Sequence, residues 1–176
     1  MPHLADTPVL ETERLILRAP RAGDFAVWDG FARSDRSKYM GGPYNAGDSW
    51  RAFANTVGHW VMRGWGEFVF CLRGHDAPLG NAGPWFPEGW PEREIGWAVW
   101  DTAAEGKGYA FEAARAARAH AFDALGWDTA VSYIDPDNAR SVALAERLGA
   151  VRDLQAVPLS EGDLVYRHPA PTRRAA

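Results

Sequence analysis

Two glycines flank a lysine in the loop at residues 104–110, which reads AEGKGYA. The loop follows a mostly apolar run, IGWAVW, and precedes an alanine-rich segment with helical spacing. The start of a helix leaves several backbone N–H groups without partners and carries partial positive charge. Glycines at 106 and 108 let that backbone approach an anion closely. The pattern therefore indicates either a phosphate-binding loop or an ordinary turn between a strand and a helix.

Neighbouring residues exclude two common kinds of phosphate loop. A Walker-type loop needs GxxxxGK followed by Ser or Thr, but Lys107 is followed by Gly108 and no glycine stands five residues before Gly106. The dinucleotide pattern GxGxxG fails as well, because Phe111 stands where the third glycine is required. A site for a nucleoside triphosphate or a dinucleotide is therefore not expected here.

The hydrophobic pattern predicts the elements that must position this loop. The run at 92–100 is typical of a strand buried on both faces, and small residues along one stripe of 109–125 predict a helix that lies close against a sheet. In order, the sequence predicts a strand at 9–18, a helix after Asp24, a helix ending at Gly64, strands at 67–73, 81–86 and 92–100, a helix at 109–125, a strand at 129–135, a helix at 137–149, and closing strands at 150–159 and around 163–168.

This order indicates a mixed α+β fold, in which an antiparallel meander leads into a β-α-β crossover. We predict a single domain over residues 1–168. Residues 169–176 carry no core pattern, which predicts a flexible tail. The apolar face of the second helix is expected to consist of Trp50, Phe53, Val57, Trp60 and Val61.

The loop and the sequence on both sides of it resemble the GCN5-related N-acetyltransferase (GNAT) superfamily. Gly108 and Ala110 take the last two positions of that family's Gln/Arg-x-x-Gly-x-Gly/Ala motif. LETERLILRAPRAGD resembles the opening of the branch that includes the ribosomal-protein N-acetyltransferases, EIGWAVWD resembles the family's fourth strand, and DPDNARSVALAERLGA resembles its later Asn-x-x-Ser motif. The resemblance covers roughly residues 9–168.

This resemblance implies a twisted, mostly antiparallel sheet of six to seven strands with splayed central strands, flanked by about four helices. It also implies acetyl-CoA as cofactor, with its pyrophosphate held by the loop amides and its pantetheine arm beside the fourth strand. Asn138 would contact the cofactor or hold the strands apart, and it also suits a helix N-cap. Glu105 stands where the family has Gln or Arg, which would weaken cofactor binding if it pointed inward and be harmless if it pointed to solvent. The cofactor-binding residues so implied are Ala98, Val99, Trp100, Glu105, Gly106, Lys107, Gly108, Tyr109, Ala110, Asn138 and Ser141.

Acetyl transfer to an amine needs a base, because an alkylammonium has a pKa near ~10.4 and must lose a proton before it attacks. By resemblance, Glu94 is the leading candidate, and its place at the end of an apolar strand favours a raised pKa. Glu67 and Asp135 are weaker alternatives. For the acid that protonates the leaving sulfur, Ser141 matches the family's serine and Tyr133 is the alternative.

Tryptophans at 85, 90, 97 and 100 indicate either an acceptor pocket or core packing. In a pocket they would hold a cationic amine by cation–π contact. The loop at 34–50 lies where the family's acceptor-contacting segments usually occur. The predicted acceptor-binding residues are Tyr39, Trp85 and Trp97.

Composition limits the remaining classes. The net charge of −4 argues against broad nucleic-acid binding, and no stretch approaches the length of a membrane span. The five histidines lack metal-ligand spacing, so no metal is expected, and Cys71 is predicted to be a buried structural thiol. We expect a cytoplasmic, acetyl-CoA-dependent N-acetyltransferase that acts on a protein N-terminus or a small amine in a ternary complex, with a homodimer left open. The alternative is a non-catalytic acyl-CoA-binding module.

Overall fold

The computed structural model describes residues 4–170, and its eight strands form one sheet in the order β1-β2-β3-β4-β5-β6-β8-β7. Four α-helices flank the sheet, and short 3-10 helices cover Ala22–Asp24, Asp35–Met40 and Thr102–Ala104. The strands are β1 Leu10–Glu11, β2 Leu15–Arg18, β3 Phe68–Leu72, β4 Gly80–Trp85, β5 Glu94–Val99, β6 Val131–Ile134, β7 Val151–Arg152 and β8 Leu164–Arg167. The helices are α1 Phe25–Ala32, α2 Ala46–Arg63, α3 Tyr109–Asp123 and α4 Ala139–Arg147.

The mixed, mostly antiparallel fold with about four helices is confirmed, but the sheet has eight strands and not six to seven. The extra strand arises where a single strand was predicted, at 9–18. That segment turns back on itself, so that Leu10 pairs with Leu17. The turn is closed by Thr12, whose N–H donates to the carbonyl of Leu15 at 3.0 Å.

The sheet opens between β5 and β6, which are the only parallel neighbours among the described strands. β5 pairs with β4 along its whole length, from Glu94 to Val99. Its register with β6 consists of one pair, Glu94 with Val131. From Gly96 onwards the two strands diverge, as the resemblance implies, and this divergence creates the space for a site.

Helix α3 lies against the sheet through a row of alanines that are completely buried, namely Ala113, Ala114, Ala117 and Ala121. They pack in part against Phe68 and Phe70, which are also fully buried. Small side chains on the helix let its backbone come close to the sheet. Cys71 is 1% exposed, so the prediction of a buried thiol is confirmed.

Helix α2 is rotated from the orientation that its apolar pattern predicts. Phe53 and Trp60 are buried, but Trp50 and Val61 are 59% and 69% exposed. Polar side chains take inner positions, and two of them have hydrogen-bond partners there: Thr56 donates to the Ala52 carbonyl at 3.2 Å, and both ring nitrogens of His59 have backbone partners. The hydroxyl of Ser49 is buried without a partner among the described residues. These buried polar residues are Ser49, Thr56 and His59.

The described helices include none that has both the length and the apolar character needed to cross a bilayer. The predicted tail at 169–176 falls mostly on residues 171–176, which lie outside the described residues.

Candidate active site

A cavity of about 570 Å³ opens where β5 and β6 diverge. Its walls come from β5, β6, the start of α4, the 3-10 helix at Asp35–Met40 and the loop before β8. Its size is in the range of sites that take small molecules. The predicted residues that it brings together are Glu94, Tyr133, Ser141, Asn138, Tyr39, Trp85 and Trp97, with the weaker candidates Glu67 and Asp135.

Two carboxylates, Glu67 and Glu94, approach each other over Gly96. A Cβ on Gly96 would lie 2.6 Å from Glu67 Oε1 and 4.0 Å from Glu94 Oε1, so both oxygens are close to one point. Burial, and after it the negative charge of Glu94, raise the pKa of Glu67 to about 8, against the lowering effect of a hydrogen bond from Asn81. Burial also raises the pKa of Glu94 to about 7, against a hydrogen bond from Trp90. The pair is therefore suited to exchanging a proton near neutral pH.

Hydrogen bonds fix the orientation of both carboxylates. The indole N–H of Trp100 donates to Asn81 Oδ1 at 2.7 Å, and the amide Nδ2 of Asn81 donates to Glu67 Oε2 at 2.7 Å. The indole N–H of Trp90 donates to Glu94 Oε2, also at 2.7 Å. Sequence reasoning missed Asn81, although an asparagine inside the apolar strand GNAGPW is a signal for a buried polar partner.

Ser141 lies at the start of α4 with its hydroxyl facing the cavity. Asn138 caps this helix by accepting the Ser141 N–H at 3.2 Å, and the indole of Trp97 donates to Ser141 Oγ at 3.3 Å. Because the hydroxyl accepts the indole N–H, its own proton can be directed elsewhere. The serine is therefore placed to donate a proton into the cavity.

Tyr133 lies on β6, and its hydroxyl accepts the backbone N–H of Glu92 at 3.0 Å. Burial raises the pKa of Tyr133 to about 12, so the phenol stays protonated at neutral pH. Of the predicted tryptophans, Trp85 stacks on His59 at a ring distance of 4.5 Å, and Trp100 is 3% exposed. Packing thus accounts for part of the aromatic cluster.

The glycine loop forms an anion-binding geometry at the start of α3. Gly106 and Gly108 have φ of +73° and +78°, in the left-handed region that favours glycine. Within residues 4–170, no hydrogen bond uses the backbone N–H groups of residues 106–111. Six successive donors at the positive end of a helix have the chemistry that phosphate oxygens require.

Residues that sequence reasoning missed anchor this loop from the first hairpin. Arg14 Nη1 donates to the Lys107 carbonyl at 2.9 Å, and its Nε pairs with Glu112 Oε2 at 2.7 Å. The hydroxyl of Thr12 donates to Glu112 Oε1 at 2.6 Å. The Thr-x-Arg of the opening segment therefore holds the first turn of α3 in place.

The carboxylate of Glu105 is held by two arginines and is neither directed at the amides of the glycine loop nor free in solvent. Its Oε1 accepts hydrogen bonds from Arg36 Nε at 2.9 Å and Nη2 at 2.5 Å, and its Oε2 pairs with Arg140 Nη1 at 2.8 Å. The hydrogen bonds from Arg36 are the main reason that the pKa of this carboxyl is lowered. Nothing in the sequence motif indicates Arg36, because it lies 69 residues away from its partner.

Residues 14–151 match the family model described as the acetyltransferase (GNAT) domain. Across 96% of this chain and 98% of the other, the structure is similar to an acetyltransferase from Agrobacterium tumefaciens, with 37% identity and a TM-score of 0.88. A ribosomal-protein-S5-alanine acetyltransferase from Vibrio fischeri has the same fold at 14% identity, with a TM-score of 0.67 over 96% and 100% of the chains. So does a spermidine N-acetyltransferase from Vibrio cholerae, in complex with CoA and spermine, at 19% identity and a TM-score of 0.68 over 89% and 94%.

Proposed function

Because this chain belongs to the GNAT acetyltransferase family, whose cofactor is acetyl-CoA, we propose that it acetylates a small cationic amine by direct transfer. The carboxylate pair Glu67 and Glu94, where β5 still pairs with β6 just before the two strands diverge, is the observation that carries this proposal. It places a base with a pKa near 7 beside a cavity of small-molecule size. The same cavity holds a hydroxyl donor on its other side, Ser141.

The chain's residues fit acetyl-CoA at two places. The free N–H groups at 106–111 suit the oxygens of a pyrophosphate, and left-handed glycines leave the approach to them open. Beyond Glu94, no strand among the described residues pairs with the edge of β5 that faces β6, so an extended arm can bind there as an added strand would. Arg36 already holds the carbonyls of Val99 and Trp100, so the arm would use the backbone groups near Ala98 that remain free. When bound, acetyl-CoA supplies the acetyl group as an activated thioester.

Glu94 acts as the base in this proposal. An incoming ammonium first meets a cavity rich in carboxylates and aromatic rings, and it gives its proton to Glu94, directly or through water. The indole N–H of Trp90 holds the second oxygen of this carboxylate, Oε2, in place. Ser141 would relay a proton to the departing sulfur: it would give up its hydroxyl proton and recover one from the amine nitrogen, which loses its second proton as the amide forms, with Trp97 fixing the serine oxygen.

The charges around the cavity favour a cationic acceptor. Among the described residues that line it, five are acidic and only Lys38 is basic. Asp163 faces Glu94 closely enough for its charge to raise the pKa of Glu94. Opposite charge in a concave site attracts a substrate and raises its local concentration. The acidic residues are Glu67, Glu94, Asp135, Glu161 and Asp163, of which Glu67, with a pKa of about 8, contributes little negative charge near pH 7.

A panel of amines tests this function by release of free thiol from acetyl-CoA. Spermidine, an aminoglycoside, butylamine, glycine and an N-terminal alanine peptide cover the competing acceptor classes. We expect the polycationic amines to react with at least about tenfold higher kcat/KM than butylamine, as one extra favourable contact of ~1.4 kcal/mol would give. Exclusive reaction with the peptide would contradict the small-amine acceptor. CoA binding without thiol release from any amine would support a non-catalytic module.

The activity should depend on pH through Glu94. Below about pH 7 its carboxyl is protonated and cannot accept a proton, so kcat/KM should fall about tenfold per pH unit there. Above that pH the base is ionised and this dependence should level off. The measurement is kcat/KM from pH 5.5 to 9 with the best acceptor. If kcat/KM of Glu94→Gln still falls below pH 7 as in the unaltered protein, the titrating group is another residue.

A further inference from the structure

Residues Ser34–Gly41 form a strap that touches both sides of the opening between β5 and β6. On one side, Arg36 bonds to the end of β5 and to the glycine loop. On the other, the hydroxyl of Tyr39 donates to the Asp137 carbonyl at 3.0 Å, just before α4. Residues 38–41 of the strap, which include Tyr39, line the acceptor cavity. The strap is therefore part of the cavity wall, and the partners that hold it, Trp100, Glu105 and Asp137, do not line the cavity.

Arg36 makes the strap's contacts with the end of β5 and with the glycine loop, where the cofactor is proposed to bind. Its Nη1 donates to the Trp100 carbonyl at 2.6 Å and its Nη2 to the Val99 carbonyl at 2.9 Å, while the same guanidinium grips Glu105. The Arg36 and Glu105 side chains are only 28% and 33% exposed, so water screens this pair less than a surface pair. A planar guanidinium can satisfy two carbonyls and a carboxylate at once, which an ammonium cannot do with the same geometry.

Glu105 extends the connection to α4. Its second oxygen pairs with Arg140, one residue before Ser141 and two after the capping Asn138. One carboxylate thus joins the strap, the end of the glycine loop and the helix that carries the proposed acid. The family motif has a glutamine or arginine here, so this three-way contact follows from the glutamate in this chain.

We propose that Arg36 and Glu105 are positioning residues that couple the acceptor cavity to the cofactor loop. This rests on the proposed function of the two sites. CoA that orders residues 105–111 also fixes Glu105, and Glu105 fixes the strap through Arg36. The acceptor then meets a cavity wall that the bound cofactor holds more firmly. Arg36 touches neither the base nor the proposed acid, so its effect reaches the reaction through the strap.

Hydrogen exchange with CoA as the probe tests the coupling without any acceptor. In the unaltered protein, CoA should slow exchange of amides in both 106–111 and 34–41. In Arg36→Ala and in Glu105→Gln, CoA should still protect 106–111 but no longer protect 34–41. Protection of the strap that is unchanged in these variants would overturn the proposal. Absence of protection at 106–111 in the unaltered protein would instead overturn the cofactor site of the proposed function.

Steady-state kinetics with the best amine of the panel provide the second readout. Arg36→Ala should raise the acceptor KM about tenfold, within the ~5–150-fold range of coupling between sites, while kcat and the Kd for CoA change less than about twofold. Arg33→Ala is the matched control, because Arg33 lies on the same surface and makes only an exposed pair with Asp29 at 3.4 Å. The double variant Arg36→Ala/Glu105→Ala should raise the acceptor KM no more than the more impaired of the two single variants, Arg36→Ala and Glu105→Ala. Additive losses, or equal losses in the Arg33 control, would overturn the coupling.

Discussion

Replacing Glu94 with glutamine is expected to lower kcat by about 10²-fold or more while leaving the Kd for CoA unchanged. Glutamine keeps the size of the side chain but cannot accept the proton of an ammonium, and general-base catalysis commonly contributes ~10²–10⁴-fold. Glu94 lies at the single pair that joins β5 to β6, and the free amides of the glycine loop lie at the other end of the site. Thiol release gives kcat, and calorimetry gives the Kd for CoA.

Two further glutamates make this experiment discriminating. Glu88→Gln is the control, because its side chain is fully exposed in the turn before β5 and should leave kcat unchanged. Glu67→Gln separates the members of the carboxylate pair. If it abolishes activity and Glu94→Gln does not, Glu67 is the base and the assignment of Glu94 is wrong.

Replacing Asp24 with alanine is expected to destabilise the fold by about 3–5 kcal/mol, the usual cost of leaving one charge of a buried pair alone. The side chains of Arg18 and Asp24 are only 6% and 4% exposed and meet through two bonds of 2.8 Å. Asp24 also accepts the backbone N–H of Arg21 at 2.8 Å. Without Asp24, the guanidinium of Arg18 would keep only the carbonyls of Ala19 and Asp76 among its present hydrogen-bond partners, and its Nε already has no partner among the described residues.

Urea unfolding followed by tryptophan fluorescence measures this loss. Asp48→Ala is the matched control, because its pair with Arg51 is exposed on α2 and such pairs contribute about 0.2–1 kcal/mol. Equal losses for the two variants would contradict a special role of the buried pair in stability.

The parts of the fold that repeat a simple pattern could be predicted from the sequence. The alanine stripe of α3 has one helical period and one buried side, and the apolar run of β5 indicates a strand covered on both faces, so the packing of both follows from local residues. The first hairpin could not be recognised in this way, because its turn at Thr12 is polar but contains neither Gly nor Pro. The orientation of α2 depends on hydrogen bonds to Trp65 and Phe86, which the helix's own sequence does not contain.

In the candidate site, the residues that a motif marks were predicted and their partners were not. The glycine loop, Asn138 and Ser141 carry recognisable spacing. Asn81 and Arg36 act only through contacts that are distant in sequence, at 14 and 69 residues. Such contacts leave no local spacing to detect, since they are created when the chain folds. Their roles follow from the structure, and the roles proposed for Glu94 and Ser141 stay predictions until the variants are measured.

The absence of a side chain at Gly96 has an evolutionary consequence. A Cβ there would meet Glu67 Oε1 at 2.6 Å, a distance that real Cβ atoms essentially never show. Positions 67 and 96 are therefore expected to change together among relatives: an alanine or larger residue at 96 should occur with a shorter residue at 67. A side chain at 96 beside a glutamate at 67 would have to displace the Glu67 carboxylate from its present position, so this pair records whether a lineage has kept the two-carboxylate arrangement.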